Sequence, residues 1–165
     1  MMRKRLKSSD LVLVVDDSPD TVGMLNDTLE RAGMTTLVAL EGGQAINIAR
    51  KMMPDIILLD AMMPVMDGFE VCKKLKSDTE LKSTPVIFMT GLKDTESVVK
   101  GFEAGGVDYV TKPISTEELV ARVRVHLANA RLTQSAQSAL DATGQFMFAV
   151  NSQGKILWST PQKSA

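Results

Sequence analysis

The sequence has few of the residues that build covalent or metal-centred scaffolds. Among its 165 residues there is one cysteine, Cys72, and one histidine, His126. A single thiol cannot form a disulfide framework, and one thiol with one imidazole cannot supply the four ligands of a structural zinc site. Both scaffolds are therefore excluded. We expect His126 to lie on a helix face rather than to act as a catalyst.

The sequence also lacks long apolar runs and has almost no net charge. No stretch approaches the roughly 20 apolar residues of a transmembrane helix. The net charge of -1 provides no overall field to attract nucleic acid or anionic lipid. A basic run opens the chain, but polar residues follow it, so it is not a signal peptide. We expect residues 1–9 to be a flexible basic N-terminus and the protein to be cytoplasmic.

Short apolar runs alternate with amphipathic segments along most of the chain. The runs predict five buried strands, at residues 11–15, 35–40, 56–59, 86–89 and 107–110. Ser18 before Pro19, and Ser115 with Glu118, are typical of helix N-termini. We read Gly42-Gly43 as a turn. The alternation predicts an α/β fold in which helices cover both faces of a five-stranded parallel sheet.

Past residue 131 the composition changes. Residues 132–143 are helix-permissive but weakly apolar and predict a helical linker. Two short apolar runs around a polar turn, within residues 144–165, suggest a β-hairpin. Because a lone hairpin is marginal in water, it must pack on the main domain, dimerise or open a second domain.

Polar side chains stand where the predicted strands end. Asp16 and Asp17 follow the first strand, Asp60 the third, Thr90 the fourth and Lys112 the fifth. Each residue alone fits a cap, a turn or a surface charge. Since carboxyl ends of parallel strands share one edge, the joint spacing predicts one site. Three carboxylates there would repel one another, so we expect Mg²⁺ beside Asp60.

These groups suit phosphoryl transfer to an aspartate. Asp60 would be the nucleophile, Lys112 would neutralise phosphoryl oxygens, and Thr90 could hydrogen-bond an oxygen present only after transfer. Tyr109, the only tyrosine, fits either an edge-strand aromatic or a switch residue. The alternative is a Mg²⁺-dependent phosphatase with an aspartate nucleophile. Such enzymes usually carry a second Asp two residues later, where this chain has Met62.

A third interpretation is a nucleotide binder on a similar sheet, but the sequence lacks the Gly-rich phosphate loop that such a protein needs after the first strand.

Four motifs in order resemble the receiver domain of two-component response regulators. They are Val14–Pro19, Leu59–Gly68, Met89–Gly91 and Tyr109–Pro113. The resemblance covers about residues 10–131. It implies a CheY-like, flavodoxin-like (βα)5 fold, doubly wound with strand order 2-1-3-4-5.

The resemblance also implies the roles of the acidic residues. Asp60 would be the phospho-acceptor, taking its phosphoryl group from a sensor histidine kinase or a phosphotransfer protein. Asp17, Asp60 and the Met62 backbone carbonyl would bind Mg²⁺, and Asp16 would act through water. The protein would then be a signalling switch and not a turnover enzyme.

The same resemblance implies how the switch works. Thr90 and Tyr109 would be the switch pair, Lys112 would contact the phosphate, and the bond to Pro113 would be cis. The face of the fourth helix, fifth strand and fifth helix would be the dimerisation or effector surface. An extended fifth helix could lengthen a homodimer interface through the stripe Leu119, Val123, Ala130 and Leu140.

We therefore predict four segments in the chain. These are the N-terminus over residues 1–9, a receiver domain over 10–131, the linker over 132–143 and a hairpin over 144–165. The last segment resembles the start of a PAS-type sensory domain, so we expect the chain to be the N-terminal part of a longer regulator. We expect no membrane contact, and nucleic-acid binding only through an output domain outside this chain.

Overall fold

A five-stranded parallel sheet organises the first part of the chain. The structure is a computed structural model that describes residues 10–91, 94–143, 148–150 and 156–159. The strand order is β2-β1-β3-β4-β5 and every neighbouring pair is parallel. The strands are β1 Leu11–Val15, β2 Thr35–Ala39, β3 Ile56–Asp60, β4 Val86–Thr90 and β5 Asp108–Thr111. This sheet and its order confirm the predicted fold.

Helices cover both faces of the sheet. They are α1 Pro19–Arg31, α2 Gly42–Met52, α3 Gly68–Lys76, α4 Thr95–Glu103 and α5 Thr116–Thr143. Four of them begin at side-chain caps: Ser18, Asp67, Asp94 and Ser115 each accept a hydrogen bond from a backbone N–H of the first turn. Strands β3 and β4 are buried along their whole length, up to and including Asp60 and Thr90 at their carboxyl ends.

Side chains of the sheet alternate between two cores. One lies between the sheet and helices α2 and α3, and its largest buried side chains are Phe69 and Phe88. The other lies between the sheet and helices α1 and α5, where Leu25, Leu58 and Leu127 pack together. In α4 the only buried residue is Gly101, so this helix is held less firmly than the others.

Two boundaries differ from the sequence predictions. Helix α2 begins at Gly42, which was expected to form a turn. A Cβ on Gly42 would lie 2.7 Å from Val71 Cγ2, so this glycine serves the close packing of α2 on α3. Helix α5 runs to Thr143 without a break at the predicted start of the helical linker, because residues 132–143 contain no helix-breaking residue.

The chain divides into two compact units, Met1–Leu127 and Ala128–Ala165. In the second unit, β6 Phe148–Val150 and β7 Ile156–Ser159 pair as an antiparallel ribbon, which confirms the predicted hairpin. The turn between them and the basic N-terminus lie outside the described residues. None of the helices in the described ranges combines the length and apolar character needed to cross a membrane.

The backbone at Val65 predicts a stabilising substitution. Its φ is 69° and its side chain is fully exposed. Met66 N–H donates to Pro64 O at 2.7 Å, which closes a three-residue turn around Val65. A β-branched residue at positive φ is strained, whereas glycine is not. We expect Val65→Gly to raise the free energy of unfolding by about 1 kcal/mol, measured by urea denaturation.

The matched control is Val125→Gly. Val125 is also exposed but lies within helix α5, where glycine costs about 1 kcal/mol relative to alanine. This variant should lose stability while Val65→Gly gains it. Equal losses in both variants would show that the turn at Val65 is not strained.

Candidate functional site

Asp60 is the last residue of β3 and is held from both its backbone and its side chain. It is 4% exposed. The next residue, Ala61, donates its N–H to Met89 O at 3.0 Å, so the strand end stays bound to β4. Met62 N–H donates to Asp60 Oδ1 at 3.2 Å. The carboxylate is therefore presented at the sheet edge by a rigid support, with its Oδ2 left for other contacts.

Two more carboxylates stand beside it. Asp16 and Asp17 follow β1, and carboxylate oxygens of Asp16, Asp17 and Asp60 all lie within 4.8 Å of one another. Asp16 is fully buried and its Oδ1 accepts from Ser18 N–H at 2.9 Å, whereas Asp17 is exposed. The order of strands places β1 next to β3, which brings the three carboxylates together.

Lys112 supplies a positive charge to this cluster. It follows β5, and its N–H donates to Thr90 O at 2.8 Å. Its Nζ lies 2.8 Å from Asp16 Oδ2 and 3.5 Å from Asp60 Oδ2. Burial alone would lower the pKa of Lys112, but Asp16 and Asp60 hold that pKa above its usual value. The peptide bond to Pro113 is cis, as the motif predicted.

Thr90 and Tyr109 form a second pair at the same edge. Thr90 ends β4 and is buried, and Tyr109 lies half-buried on β5 beside it. Burial raises the pKa of Tyr109, and its hydrogen bond with Thr90 opposes that rise. The two side chains that were open to a structural or a switch interpretation are therefore in contact.

The electrostatics of the cluster fit a divalent cation. Burial raises the pKa of Asp60 to about 6, the neighbouring Asp16 adds to the rise, and Met62 N–H and Lys112 oppose it. One ammonium does not balance three carboxylates in this partly dry pocket. Carboxylate oxygens are the ligands that a hard cation such as Mg²⁺ prefers, so the residues present fit that ion.

All five side chains predicted from the strand ends lie together. Asp16, Asp17 and Asp60 form the acidic cluster, Lys112 contacts it, and Thr90 joins it through the backbone of residue 112. Met62 stands in the loop after β3, with its side chain 55% exposed. The roles assigned to these residues remain predictions.

A separate charged cluster was missed by the sequence analysis. Asp108 on β5 accepts hydrogen bonds from Arg122 Nη1 at 3.0 Å and lies 2.9 Å from His126 Nε2. Burial would raise the pKa of Asp108, but His126, the Tyr109 amide and Arg122 together hold that pKa below its usual value. His126 is on a helix, as predicted. The spacing of Arg122 and His126, four residues apart on α5, was the signal available.

The strand order and the position of the acidic cluster define a doubly wound α/β domain with its site at the carboxyl ends of the strands. The family model for the response regulator receiver domain matches residues 12–124. The chain therefore belongs to the response regulator receiver family.

Curated relatives extend this identification. The chain is 44% identical over 116 residues to the DNA-binding response regulator MtrA of Mycolicibacterium smegmatis, covering 70% of this chain and 50% of that protein. It is 37% identical over 127 residues to the DNA-binding dual master transcriptional regulator RpaA of Synechocystis, covering 76% and 53%. The chain thus spans about half the length of these relatives.

Solved structures agree. A response regulator from Chloroflexus aurantiacus matches with a TM-score of 0.70 and 34% identity, over 73% of this chain and 98% of that chain. The chemotaxis protein CheY4 of Vibrio cholerae matches with a TM-score of 0.69 and 32% identity, over 71% and 98%. Both similarities support the receiver fold, and the phosphatase alternative is not favoured.

The raised pKa of Asp60 predicts a pH-dependent stability difference. Because folding raises this pKa from 3.8 to about 6, the ionised carboxylate lowers the stability of the folded state above pH 6. Asp60→Asn should therefore raise the free energy of unfolding at pH 7.5 by about 1–3 kcal/mol when divalent cations are chelated. The gain should shrink as the pH falls to 4, where wild-type Asp60 is largely protonated.

Urea titrations at both pH values measure this difference. Asp17→Asn serves as the control, since Asp17 is exposed in the same cluster. A gain for Asp60→Asn that is equal at pH 4 and pH 7.5 would contradict the assigned pKa.

Proposed function

We propose that the chain is a phosphorylation-dependent signalling switch in which Asp60 accepts a phosphoryl group from a histidine kinase or a phosphotransfer protein. The observation that carries this proposal is the geometry around Asp60. A buried carboxylate stands at a strand end, two further carboxylates lie within 4.8 Å of it, and Lys112 Nζ lies 3.5 Å from its Oδ2. This set can accept an anionic group at one defined oxygen.

In the transfer step an Asp60 carboxylate oxygen attacks phosphorus, and the bond between phosphorus and the donor imidazole nitrogen breaks. Lys112 is close enough to contact an oxygen of the incoming group. Asp17, Asp60 and the Met62 carbonyl would hold Mg²⁺, with Asp16 acting through water. When bound, the ion neutralises charge on the transferring group. The hydrogen bond from Ser18 N–H to Asp16 Oδ1 fixes the orientation of the Asp16 carboxylate before transfer.

The switch output is proposed for the surface built by α4, β5 and α5. Thr90 would turn to donate a hydrogen bond to the new phosphoryl oxygen, and Tyr109, now in contact with Thr90, would follow. On that surface Val99, Phe102 and Val107 are exposed. An apolar patch beside a movable pair is suited to a phosphorylation-dependent contact.

A turnover enzyme is the weaker interpretation. Position 62, where an aspartyl phosphatase would place a general acid, holds a methionine with no proton to donate. The phosphoryl group should therefore persist on Asp60 for longer than in a phosphatase. This is the property of a signalling switch.

The curated relatives support a proposal about partners. Since they are DNA-binding regulators, we propose that any nucleic-acid contact of the whole protein goes through a separate output domain. We also propose that the protein is cytoplasmic. The domain boundaries at residues 131 and 143, and the PAS resemblance of residues 144–165, stay predictions.

The predicted dimer stripe on α5 needs a correction. Leu119 and Val123 are fully buried against the sheet, so they cannot face a second copy. Leu132, on the same helix, is exposed instead. Ala130 is partly exposed, and the side chain of Leu140 lies outside the described part of the chain, so a homodimer through the extended helix would have to use residues beyond Val123.

Phosphorylation gives a direct test of the proposed function. Incubation with a small acyl phosphate and Mg²⁺ should add one phosphoryl group per chain, detected as a mass increase of the intact protein. Asp60→Asn should abolish the adduct because the attacking oxygen is lost. Lys112→Ala should slow its formation by about tenfold or more, since one charge-assisted contact is worth about 1.5–3 kcal/mol.

Lys82→Ala is the control for Lys112→Ala, because Lys82 lies outside the acidic cluster and should leave the rate unchanged. An unmodified wild-type mass would refute the proposal. Rapid multiple turnover of a phosphomonoester, without a lasting adduct, would favour the phosphatase.

Dimerisation is tested by light scattering before and after phosphorylation. If the α4-β5-α5 surface forms the interface, phosphorylated wild type should dimerise, whereas Phe102→Asp should be phosphorylated but remain monomeric. Met24→Asp, an exposed change on α1, should dimerise normally. Loss of the dimer in Leu132→Asp but not in Phe102→Asp would assign the interface to the extended helix, and monomers throughout would contradict both.

A further inference from the structure

Gly68, the first residue of α3, lies directly against the backbone of the acceptor. Its N–H donates to Ala61 O at 2.9 Å. A Cβ at this position would collide with the Asp60 carbonyl oxygen and would lie 2.8 Å from Ala61 Cα and 2.9 Å from the Asp60 carbonyl carbon. These distances leave no room for any side chain.

Neither side of this contact can readily give way. Asp60 is paired with Met89 on β4, and the next residue donates its N–H to Met89 O. Helix α3 is anchored in the core by four fully or nearly fully buried side chains, Phe69, Val71, Cys72 and Leu75. A side chain at position 68 would therefore either lift the start of α3 or rotate the peptide that follows Asp60.

Both adjustments would change the loop between β3 and α3. This loop carries Met62, whose N–H holds Asp60 Oδ1, and ends at the α3 cap Asp67, whose Oδ1 accepts from Glu70 N–H. A rotated Asp60 peptide would also re-aim the Asp60 carboxylate relative to Lys112 and Asp16. The core, in contrast, lies further along α3 and would keep its packing.

We propose that Gly68 is a positioning residue for phosphoryl acceptance. Its missing Cβ lets α3 seat on the Asp60 carbonyl, and this contact sets the position of the Asp60 carboxylate and the Met62 carbonyl. The inference rests on the proposed function of Asp60 and adds a residue that touches neither the phosphoryl donor nor the ion.

Other tightly packed glycines provide the comparison. A Cβ on Gly42 would lie 2.7 Å from Val71 Cγ2, and one on Gly106 would lie 2.7 Å from the Phe88 ring. Those neighbours are side chains. Among the glycines that the structure describes, only Gly68 would place a Cβ within 3.0 Å of backbone atoms. Gly42→Ala is therefore a stringent control: its Cβ would press on the side chains of Val71 and, at 3.1–3.2 Å, of Met66 in the same loop, but not on the backbone of the acceptor.

The experiment compares Gly68→Ala, Gly42→Ala and wild type. Thermal unfolding reports the fold, isothermal titration reports Mg²⁺ affinity, and intact mass reports the rate of adduct formation with a small acyl phosphate. A metal-free amide NMR spectrum reports Met62 N–H directly. We expect Gly68→Ala to form the adduct at least tenfold more slowly, to bind Mg²⁺ several-fold more weakly and to shift the Met62 amide. In Gly42→Ala the adduct rate and the Mg²⁺ affinity should stay within twofold of wild type, and the Met62 amide should not shift. Its melting temperature should be similar to that of Gly68→Ala.

Several results would overturn the proposal. These are wild-type adduct rate and Mg²⁺ affinity in Gly68→Ala, losses in Gly42→Ala that match those in Gly68→Ala, and failure of Gly68→Ala to fold. The last would show that this glycine serves the fold as a whole. If the wild type itself forms no adduct, the proposed function fails, and the Met62 amide shift still tests whether Gly68 positions the loop.

Discussion

The structure depends on keeping a carboxylate in a place that does not favour its charge. Asp60 ends a strand buried on both faces, and its pKa of about 6 reflects burial and the nearby Asp16. The protein offsets this cost with contacts to one oxygen from Met62 N–H and to the other from Lys112 Nζ. A carboxylate held this way is rigid, partly dry and only partly neutralised, which suits the proposed role of Asp60 as a nucleophile.

The parallel sheet makes this arrangement possible. Strand order 2-1-3-4-5 places β1 beside β3, and β4 beside β5, so carboxylates and their partners meet although they are far apart in sequence. Lys112 reaches Asp16 across 96 residues of chain. Hydrophobic pairing of the strands thus supplies the energy that holds like charges together. Packing of the strands therefore brings the site residues together, and the loops supply only the remaining contacts.

Most of the fold and of the acidic site could be predicted from the sequence, because the signals for both are local. Apolar runs located the strands, and the polar residue after each run located Asp60, Thr90 and Lys112. What it could not predict depends on distances between segments. Gly42 was predicted to form a turn because its close contact with Val71 joins residues that are far apart in the sequence. The Asp108 cluster was missed for the same reason.

The uneven packing of the helices explains where a switch on this fold can act. Helix α3 buries several large side chains, whereas α4 buries only Gly101 and leaves Val99 and Phe102 exposed. Displacing α4 therefore sacrifices little buried apolar area, while displacing α3 would open the core and move the backbone next to Asp60. If Thr90 acts as the proposed switch residue, its displacement has its lowest-cost route through β5 and α4. The firmly packed helix α3 therefore supports the acidic site, and the loosely packed helix α4 is the element that can move without opening the core.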